Sequence, residues 1–323
     1  MIELIGVIAL IVMSLLFVVK GADFLVDGAV DTAKWLKVSP ILIGLTIVAI
    51  GTSLPELVIS LFAAIGGSPD LSFGNIIGSN SFNLAVIIGI SALIFPLTIT
   101  LTTLTYQVPF LVISSLLIVI LGNDLYIFQR NAFTLGRFDG LILLGAFAIF
   151  SYYIFLSARK DMRANRAKNI RGQNSFWKNL AFIVGGFAGL ILGAKVFTYA
   201  AVKLATIAGL SEAFIGLTIA AVGTSLPELV TSVVAVCKKQ SGIAVGDIIG
   251  SNIFNVLFVL GITGLIHPLT ISNSLIAIDG MVLVFISLLF LYFAARYQNI
   301  SRWEGGILLT SYLIYFAFLM YRL

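Results

Sequence analysis

Two glutamates occupy matching positions in two nearly identical apolar segments. Residues 44–58 read GLTIVAIGTSLPELV and residues 216–230 read GLTIAAVGTSLPELV, so Glu56 and Glu228 each follow a proline. A carboxylate in a membrane-spanning segment is costly enough to indicate a functional site. A buried glutamate can instead be protonated and hydrogen-bond a neighbouring helix. Two symmetric copies beside a proline favour cation binding over that structural role.

A second polar motif repeats at the same spacing. Residues 74–83 read GNIIGSNSFN and residues 246–255 read GDIIGSNIFN. Residues four apart share one face of a helix, so each motif presents a serine and an asparagine together, and each glutamate shares a face with the threonine before it. The side chains that this pattern predicts at the site are Thr52, Glu56, Ser79, Asn83, Thr224, Glu228, Ser251 and Asn255.

The glutamate motifs also carry helix-breaking residues. Pro55 and Pro227 lack an amide hydrogen and clash with the preceding turn, so we expect each helix to kink or open there. The expected result is a set of free carbonyl groups that includes those of Ala49 and Ala221. Irregular backbone persists at membrane depth only where it lines a cavity enclosed by protein.

These groups together predict an all-oxygen site. Calcium and sodium take carboxylate, hydroxyl, amide and carbonyl oxygens, whereas zinc or copper would call for His or Cys. His267 and Cys237 lie outside both motifs, and the motif stretches contain neither Lys nor Arg, which disfavours an anionic substrate. We expect no cofactor, no enzymatic activity and no nucleic-acid partner.

The composition assigns the chain to the membrane. Of its 323 residues, 60% are hydrophobic and 10% are charged, and the mean hydropathy is +1.12. Such a chain has too little polar surface for a soluble globule, and its long apolar runs predict an all-α fold within the lipid bilayer. The first run lacks a basic start and a cleavage pattern, so we interpret it as an uncleaved span. The ten predicted spans are residues 3–32, 38–66, 72–94, 105–121, 137–158, 177–204, 210–237, 243–265, 275–295 and 304–321.

The spans form two units of five, residues 1–160 and 177–323, joined by a linker at residues 161–176. Because five is odd, the second unit must enter the membrane from the opposite side, which predicts inverted repeats with a substrate site at the midplane. Residues 159–178 carry seven Lys and Arg residues against one aspartate, Asp161. The positive-inside rule therefore places the linker in the cytoplasm and both termini outside the cell. The basic run could also bind lipid phosphates or serve regulation.

The paired GTSLPE and GSN-x-FN motifs resemble the alpha repeats of the cation/calcium exchanger superfamily, of the prokaryotic sodium/calcium exchanger type. The resemblance covers essentially the whole chain. It implies ten helices in two inverted repeats, with a monomer as the functional unit, and exchange of several sodium ions for one calcium by alternating access. The first and sixth helices would slide across the other eight. The ion ligands that it implies are Glu56, Glu228, Thr52, Ser53, Ser79, Thr224, Ser225, Ser251 and the carbonyls of Ala49 and Ala221.

One position departs from the pattern of that superfamily. The last residue of the second motif is often acidic there, but Asn83 and Asn255 are neutral. The two glutamates alone supply a charge of about −2, which neutralises one calcium or two sodium ions but not three sodium ions. Asp247, which replaces Asn75 of the first repeat and precedes Ser251 by one turn, is the candidate for a further acid. It could equally be a solvated acid in a vestibule or at a helix end.

Other functions stay open at the level of sequence. A proton-coupled calcium exchanger would usually have more acid in the second motif, and potassium dependence leaves no decisive mark. An intramembrane hydrolase could use Ser53 or Ser225 as its nucleophile, although neither His nor Lys lies nearby to act as a base. A passive cation channel could use the same oxygens.

Overall fold

The computed structural model describes residues 2–122, 133–165, 174–207, 221–272 and 275–322, and almost all of them are helical. The helices are α1 Ile2–Leu36, α2 Pro40–Ile43, α3 Ala49–Thr52, α4 Leu54–Ile65, α5 Pro69–Phe82, α6 Ile88–Ile94, α7 Val108–Gly122, α8 Arg137–Ala164, α9 Phe176–Ile207, α10 Ala221–Thr224, α11 Leu226–Cys237, α12 Ser241–Ile253, α13 Gly261–Ile266, α14 Met281–Tyr297 and α15 Arg302–Arg322. π-Helical segments adjoin them at Gly44–Val48, Asn83–Ile87, Thr103–Gln107, Phe254–Leu260 and Leu275–Gly280.

The membrane spans agree with the apolar runs of the sequence. Among the described residues, 8 helices are long and apolar enough to cross a membrane, and the bent run from α2 to α4 makes up to 9. The predicted span at residues 210–237 is described only from Ala221 onward, where it contains the shorter apolar helix α11. Its first residues lie outside the described ranges, as do residues 166–173 of the predicted linker.

Two short β-ribbons depart from the all-α prediction. β1 (Leu97–Thr98) pairs with β4 (Asn299–Ile300), and β2 (Phe133–Leu135) pairs with β3 (Leu269–Ile271), both antiparallel. Each ribbon joins a loop of the first half to a loop of the second half. Loop backbone needs hydrogen-bond partners where it packs against other loops, and extended pairing supplies them. Strands of two or three residues are too short to leave a periodic pattern in the sequence.

The helices that carry the second motif form the centre of the molecule. The most apolar windows of the α5–α6 run and the α12–α13 run are each 83% buried, against 17% for α8 and 28% for α1 and α9. The peripheral helices expose large apolar side chains, as expected of helices that face lipid. The polar motif residues are thereby kept away from the hydrocarbon.

Two glycines bring the halves into backbone contact. A Cβ atom on Gly44 would lie 2.6 Å from the carbonyl oxygen of Ile243, and one on Gly246 would lie 2.5 Å from that of Ile41. Only glycine allows such an approach. The run from α2 to α3 therefore crosses α12 closely enough for side chains of the first glutamate motif to contact those of the second half.

Candidate functional site

Both glutamate-bearing runs break at a serine. Ser53 has φ −85° and ψ 6°, Ser225 has φ −87° and ψ 7°, and neither conformation is helical. The helices on either side of Ser53 are bent by 44°. Pro55 and Pro227 lie in the first turn of the next helix, where a missing N–H costs no hydrogen bond. The predicted break is thus confirmed in both halves, and its centre is the serine rather than the proline.

Glu56 and Glu228 occupy the first turns of α4 and α11, and both side chains are fully buried. A helix N-terminus favours a carboxylate because its free N–H groups carry partial positive charge. Ser53 Oγ donates a hydrogen bond to Glu228 Oε1 at 3.1 Å, and Ser225 Oγ donates to Glu56 Oε1 at 3.4 Å. The Oε2 atoms have no hydrogen-bond partner among the described residues. Each half therefore orients the glutamate of the other half. Each glutamate keeps one buried carboxylate oxygen, Oε2, that can bind a ligand.

Thr52, Ser251 and Asp247 meet beside the carbonyl group of Ala49. Thr52 Oγ1 lies 3.3 Å from Ala49 O, 3.5 Å from Ser251 Oγ and 3.1 Å from Asp247 Oδ1. Ser251 Oγ also donates to Ala49 O, at 3.4 Å. The structure thus brings together predicted residues from both halves. Asp247 is fully buried, which excludes the alternative of a solvated acid in a vestibule.

The carbonyl of Ala49 is not freed by the helix break, so that part of the prediction was wrong. The backbone N–H of Ser53 donates to it at 3.1 Å, as in a regular helix. Pro55 removes the donor that would reach Gly51, four residues before it, and not the donor that reaches Ala49. Ala49 O still belongs to the candidate site because the hydroxyl of Ser251 points at it.

The helical turn of the second half that corresponds to α3 is α10. Ala221 and Thr224 form the ends of this helix, directly after residues 208–220, which lie outside the described ranges. Thr224 is half-buried. A Cβ atom on Gly223 would overlap the side chain of Thr198 on α9. The second break therefore packs directly against α9.

The second motifs of the two halves contact each other through asparagines. Asn255 Nδ2 donates to Asn80 Oδ1 at 3.1 Å and lies 3.5 Å from Ser79 Oγ. Asn83 and Asn255 are fully buried. Within the described ranges, Asn255 Oδ1 and both polar side-chain atoms of Asn83 have no hydrogen-bond partner. Buried polar atoms are normally satisfied, so these amides are available to a ligand.

Sequence reasoning missed two further residues at this contact. Asn80 Nδ2 donates to the carbonyl of Asn252 at 3.0 Å, and Asn252 Nδ2 donates to the carbonyl of Ile248 at 2.8 Å. The signal was present, because the asparagine of GSN occurs in both motifs. Grouping residues by helix face cannot identify Asn80 and Asn252 as contact residues, since the partner of Asn80 lies in the other half.

The site offers oxygen atoms of several kinds. In the part of the chain that the structure describes, no group of three or more His, Cys, Asp and Glu side chains is arranged to hold a metal ion. The available atoms are separate carboxylates with hydroxyl, amide and carbonyl oxygens around them. This set suits a hard cation such as calcium or sodium better than a transition metal.

Comparison with known proteins identifies the family. The model of the family described as sodium/calcium exchanger protein matches residues 6–156 and 178–321. The chain belongs to the sodium/calcium exchanger family. It is 32% identical to the sodium/calcium exchanger MaX1 of Methanosarcina acetivorans, over 97% of this chain and 98% of that protein. It is 35% identical to the inner membrane protein YrbG of Escherichia coli, over 98% of this chain and 97% of the relative.

The fold is also that of a sodium/calcium exchanger. A solved structure of the sodium-calcium exchanger NCX_Mj matches with a TM-score of 0.83 and 31% identity, covering 97% of this chain and 99% of that chain. The protein is therefore a mostly helical, multi-pass membrane protein of a family of ion exchangers, and its relatives are transporters rather than enzymes.

Proposed function

We propose that this sodium/calcium exchanger family member is an antiporter that exchanges sodium ions for calcium by alternating access at one site near the membrane midplane. The observation that carries the proposal is the crossed pair of hydrogen bonds, from Ser53 to Glu228 and from Ser225 to Glu56. They support a single site shared by both halves, since each half orients the other's carboxylate. The ions bind there as transported substrates.

The charge of the site favours exchange over passive flow. Two buried carboxylates without a counter-charge are expensive in a site enclosed by protein and lipid. Calcium neutralises both, and so do two sodium ions. A filled site can close at low cost, whereas an empty site resists closing. The site therefore changes the side of the membrane to which it opens only when a cation is bound. Calcium movement in one direction is then coupled to sodium movement in the other.

Contacts between loops support ten alternating crossings in two inverted repeats. In that arrangement, loops after odd-numbered spans share one side of the membrane and loops after even-numbered spans share the other. The N–H of Ser39, after the first span, donates to Asp161, after the fifth, at 2.9 Å. The N–H of Ser272, after the eighth span, donates to Asp70, after the second, at 2.7 Å. The β1–β4 and β2–β3 ribbons also join loops that the arrangement places on one side.

Alternating access is supported by the way in which α1 packs on α9. A Cβ atom on Gly21 would lie 2.7 Å from the backbone nitrogen of Leu190, and one on Gly186 would lie 2.7 Å from that of Leu25. Backbones this close form a tight helix pair of the small-residue type. We propose that the pair moves as one body across the remaining helices. The basic linker would lie in the cytoplasm and both termini outside.

The test is calcium uptake into proteoliposomes that contain the purified protein. Vesicles loaded with sodium are compared with vesicles loaded with potassium or choline, and with vesicles under an imposed pH gradient. We expect uptake only with an outward sodium gradient. Uptake driven by the pH gradient would assign the protein to a proton-coupled mechanism, a requirement for potassium would add that ion, and equal uptake in all vesicles would indicate a channel.

A further inference from the structure

A lysine at the end of α11 holds α1 by two of its acidic residues. Lys238 Nζ lies 2.7 Å from Asp27 Oδ1 and 3.3 Å from Asp23 Oδ1, and it donates a hydrogen bond to the carbonyl of Asp23 at 3.1 Å. We call these contacts the Lys238 clasp. They join two bodies, since α1 belongs to the pair that is proposed to move and α11 to the remaining helices. The contacts therefore have to change whenever α1 moves along α11.

The backbone around Lys238 is held by hydrogen bonds, so only its side chain can follow α1. Lys238 caps α11, and its N–H donates to the carbonyl of Val234 at 2.9 Å. The next N–H, that of Lys239, donates to the carbonyl of Val236 at 2.9 Å. Glu228 lies 10 residues before Lys238 on the same helix, or about 15 Å along its axis. The clasp thus connects α1 to the helix that carries one glutamate of the site.

The clasp occupies part of a longer acidic row on α1. Asp23, Asp27 and Asp31 are four residues apart, so they lie on one face, about 6 Å from one another along the axis. Asp31 lines the same cleft of about 420 Å³ as Asp27 and Lys238. Its Oδ2 atom accepts a hydrogen bond from the N–H of Asn174 at 2.8 Å. A movement of α1 by about 6 Å would bring Lys238 to Asp27 and Asp31.

The acidic row extends in only one direction from the present position of Lys238. The residue four positions before Asp23 is Val19, which is apolar. Lys20 follows it, and its Nζ atom lies 3.8 Å from Asp23 Oδ2. Movement of α1 in that direction would bring Lys238 towards an apolar side chain and a like charge. Lys238 can therefore exchange acidic partners only when the Asp31 end of the row moves towards it.

The sequence offers no counterpart of the clasp in the other half. At the spacing that relates Glu56 to Glu228, Lys238 corresponds to Gly66, which has no side chain to form an ion pair. The positions on α9 that correspond to the acidic row are those of Lys195, Tyr199 and Lys203. An equivalent ion pair cannot form there. Because the repeats are proposed to be inverted, the clasp acts at one side of the membrane.

We infer that Lys238 is a positioning residue that stops α1 at two places along α11. The first stop is the present position, with Lys238 on Asp23 and Asp27. The second follows a movement of about 6 Å and places Lys238 on Asp27 and Asp31. The inference rests on the proposed alternating access and adds the residues that define where the movement ends. The ion pairs are partly exposed and therefore weak, so they define the stops without preventing the movement.

Cross-linking of the full-length chain in proteoliposomes tests the movement. Cys237→Ser removes the single cysteine, and Lys238→Cys is then combined with either Asp31→Cys or Val19→Cys. Asp31 and Val19 each lie one step beyond the two acids that Lys238 contacts, at opposite ends, so Val19→Cys is the matched control. A short bifunctional thiol reagent should cross-link the Asp31→Cys variant far more than the control. Equal yields in the two variants would overturn the inference.

The apparent calcium affinities at the two faces of the membrane test the role of charge. Asp23→Asn weakens only the first stop and Asp31→Asn only the second, while the new amide oxygen of Asp31→Asn can still accept from Asn174. The ratio of the two affinities should therefore change in opposite directions, by about twofold to fivefold each. Asp27→Asn weakens both stops and should leave the ratio unchanged. Both changes should vanish in the Lys238→Met background.

Changes in the same direction, or changes that persist in Lys238→Met, would overturn the inference, because a general loss of stability would produce them. Calcium uptake is measured from each face in proteoliposomes in which the orientation of the protein is known. Cross-linking needs no transport. An absence of sodium-driven calcium uptake would therefore overturn the proposed function, while the cross-linking yields would still decide whether α1 moves along the acidic row.

Discussion

The hydroxyl of Ser53 donates a hydrogen bond to Oε1 of Glu228, although the two residues belong to different halves and are separated by 175 positions in the chain. Ser225 makes the symmetric contact with Glu56. Both serines occupy the break itself, where their backbone leaves the helical conformation. The break therefore does more than interrupt a helix: it aims a hydroxyl group at the acid across the interface.

The first prediction removes these donors. Ser53→Ala and Ser225→Ala should each weaken calcium transport at subsaturating calcium, because a hydrogen bond to a buried carboxylate contributes about 1.5–3 kcal/mol, or roughly a tenfold to hundredfold change in affinity. The effects should be similar, since the two contacts are related by symmetry. Calcium-dependent uptake into proteoliposomes measures both.

Ser115→Ala is the control for this pair. Ser115 is a buried serine whose hydroxyl lies 2.9 Å from that of Ser287, away from the glutamates. Its loss should leave the calcium dependence unchanged. If all three variants behave alike, the crossed hydrogen bonds do not position the acids for ion binding.

The second prediction removes each charge without changing its shape. Glu56→Gln or Glu228→Gln should reduce calcium uptake by at least about 100-fold, since the ion loses half of its counter-charge in a buried site. The hydroxyl of Ser225 or Ser53 can rotate to accept from the new amide, so the protein should still fold. Glu304→Gln is the matched control, because Glu304 is buried but its carboxylate accepts hydrogen bonds from the backbone N–H and the hydroxyl of Ser301. Near-normal uptake by both site variants would contradict the assignment of the glutamates.

Much of this arrangement is predictable from residue types and spacing. Long apolar runs give the spans, and Pro55 and Pro227 give the breaks, because these features depend on local chemistry. Glu56 and Glu228 stand out because an acid in an apolar run is costly. Ser60 and Ser232 could also be placed on the glutamate faces by helical spacing alone.

Contacts across the two halves could not be predicted in the same way. The partner of Asn80 and the acceptor of Ser53 depend on how the backbones of the two halves cross, and the two halves also approach closely at Gly44. The Ala49 carbonyl was predicted to be free, but a proline removes the hydrogen-bond donor only for the carbonyl four residues before it. For Pro55 that carbonyl belongs to Gly51, two residues after Ala49. The β-ribbons were missed because their pairing partners lie on distant loops.

The third prediction adds charge at the second motif. Asn83→Asp should strengthen calcium binding by adding charge, and it breaks no hydrogen bond, because neither polar side-chain atom of Asn83 has a partner in the described ranges. Asn255→Asp also adds charge, but it replaces the donor to Asn80 Oδ1 by an oxygen, and Asn80 Nδ2 is already bonded to the carbonyl of Asn252. That variant should lose about 1–3 kcal/mol of stability.

Calcium titration and thermal unfolding separate the two asparagine variants. Both should bind calcium more tightly than the wild type, and at saturating calcium, which balances the added charge, only Asn255→Asp should unfold at a clearly lower temperature. An unchanged calcium affinity in both would show that these side chains do not face the ion.

The fourth prediction concerns the contact between the first break and α9. A Cβ atom on Gly51 would overlap the aromatic ring of Phe187, a half-buried side chain of α9. Gly51→Ala should therefore force the ring aside at a cost of about 1–3 kcal/mol and slow transport, because α9 belongs to the pair that is proposed to move. The obstacle is the end of a side chain, so adding Phe187→Ala should restore transport.

Gly44→Ala provides the contrasting case. The atom that its Cβ would meet is the backbone carbonyl of Ile243, 2.6 Å away, which no side-chain substitution removes. Phe187→Ala should therefore rescue Gly51→Ala and fail to rescue Gly44→Ala, as measured by calcium uptake and by the yield of monodisperse protein. Rescue of both would mean that Phe187 limits transport in general, while rescue of neither would show that Gly51 is required for its own backbone conformation. Only selective rescue places the ring of Phe187 against the break during the transport cycle.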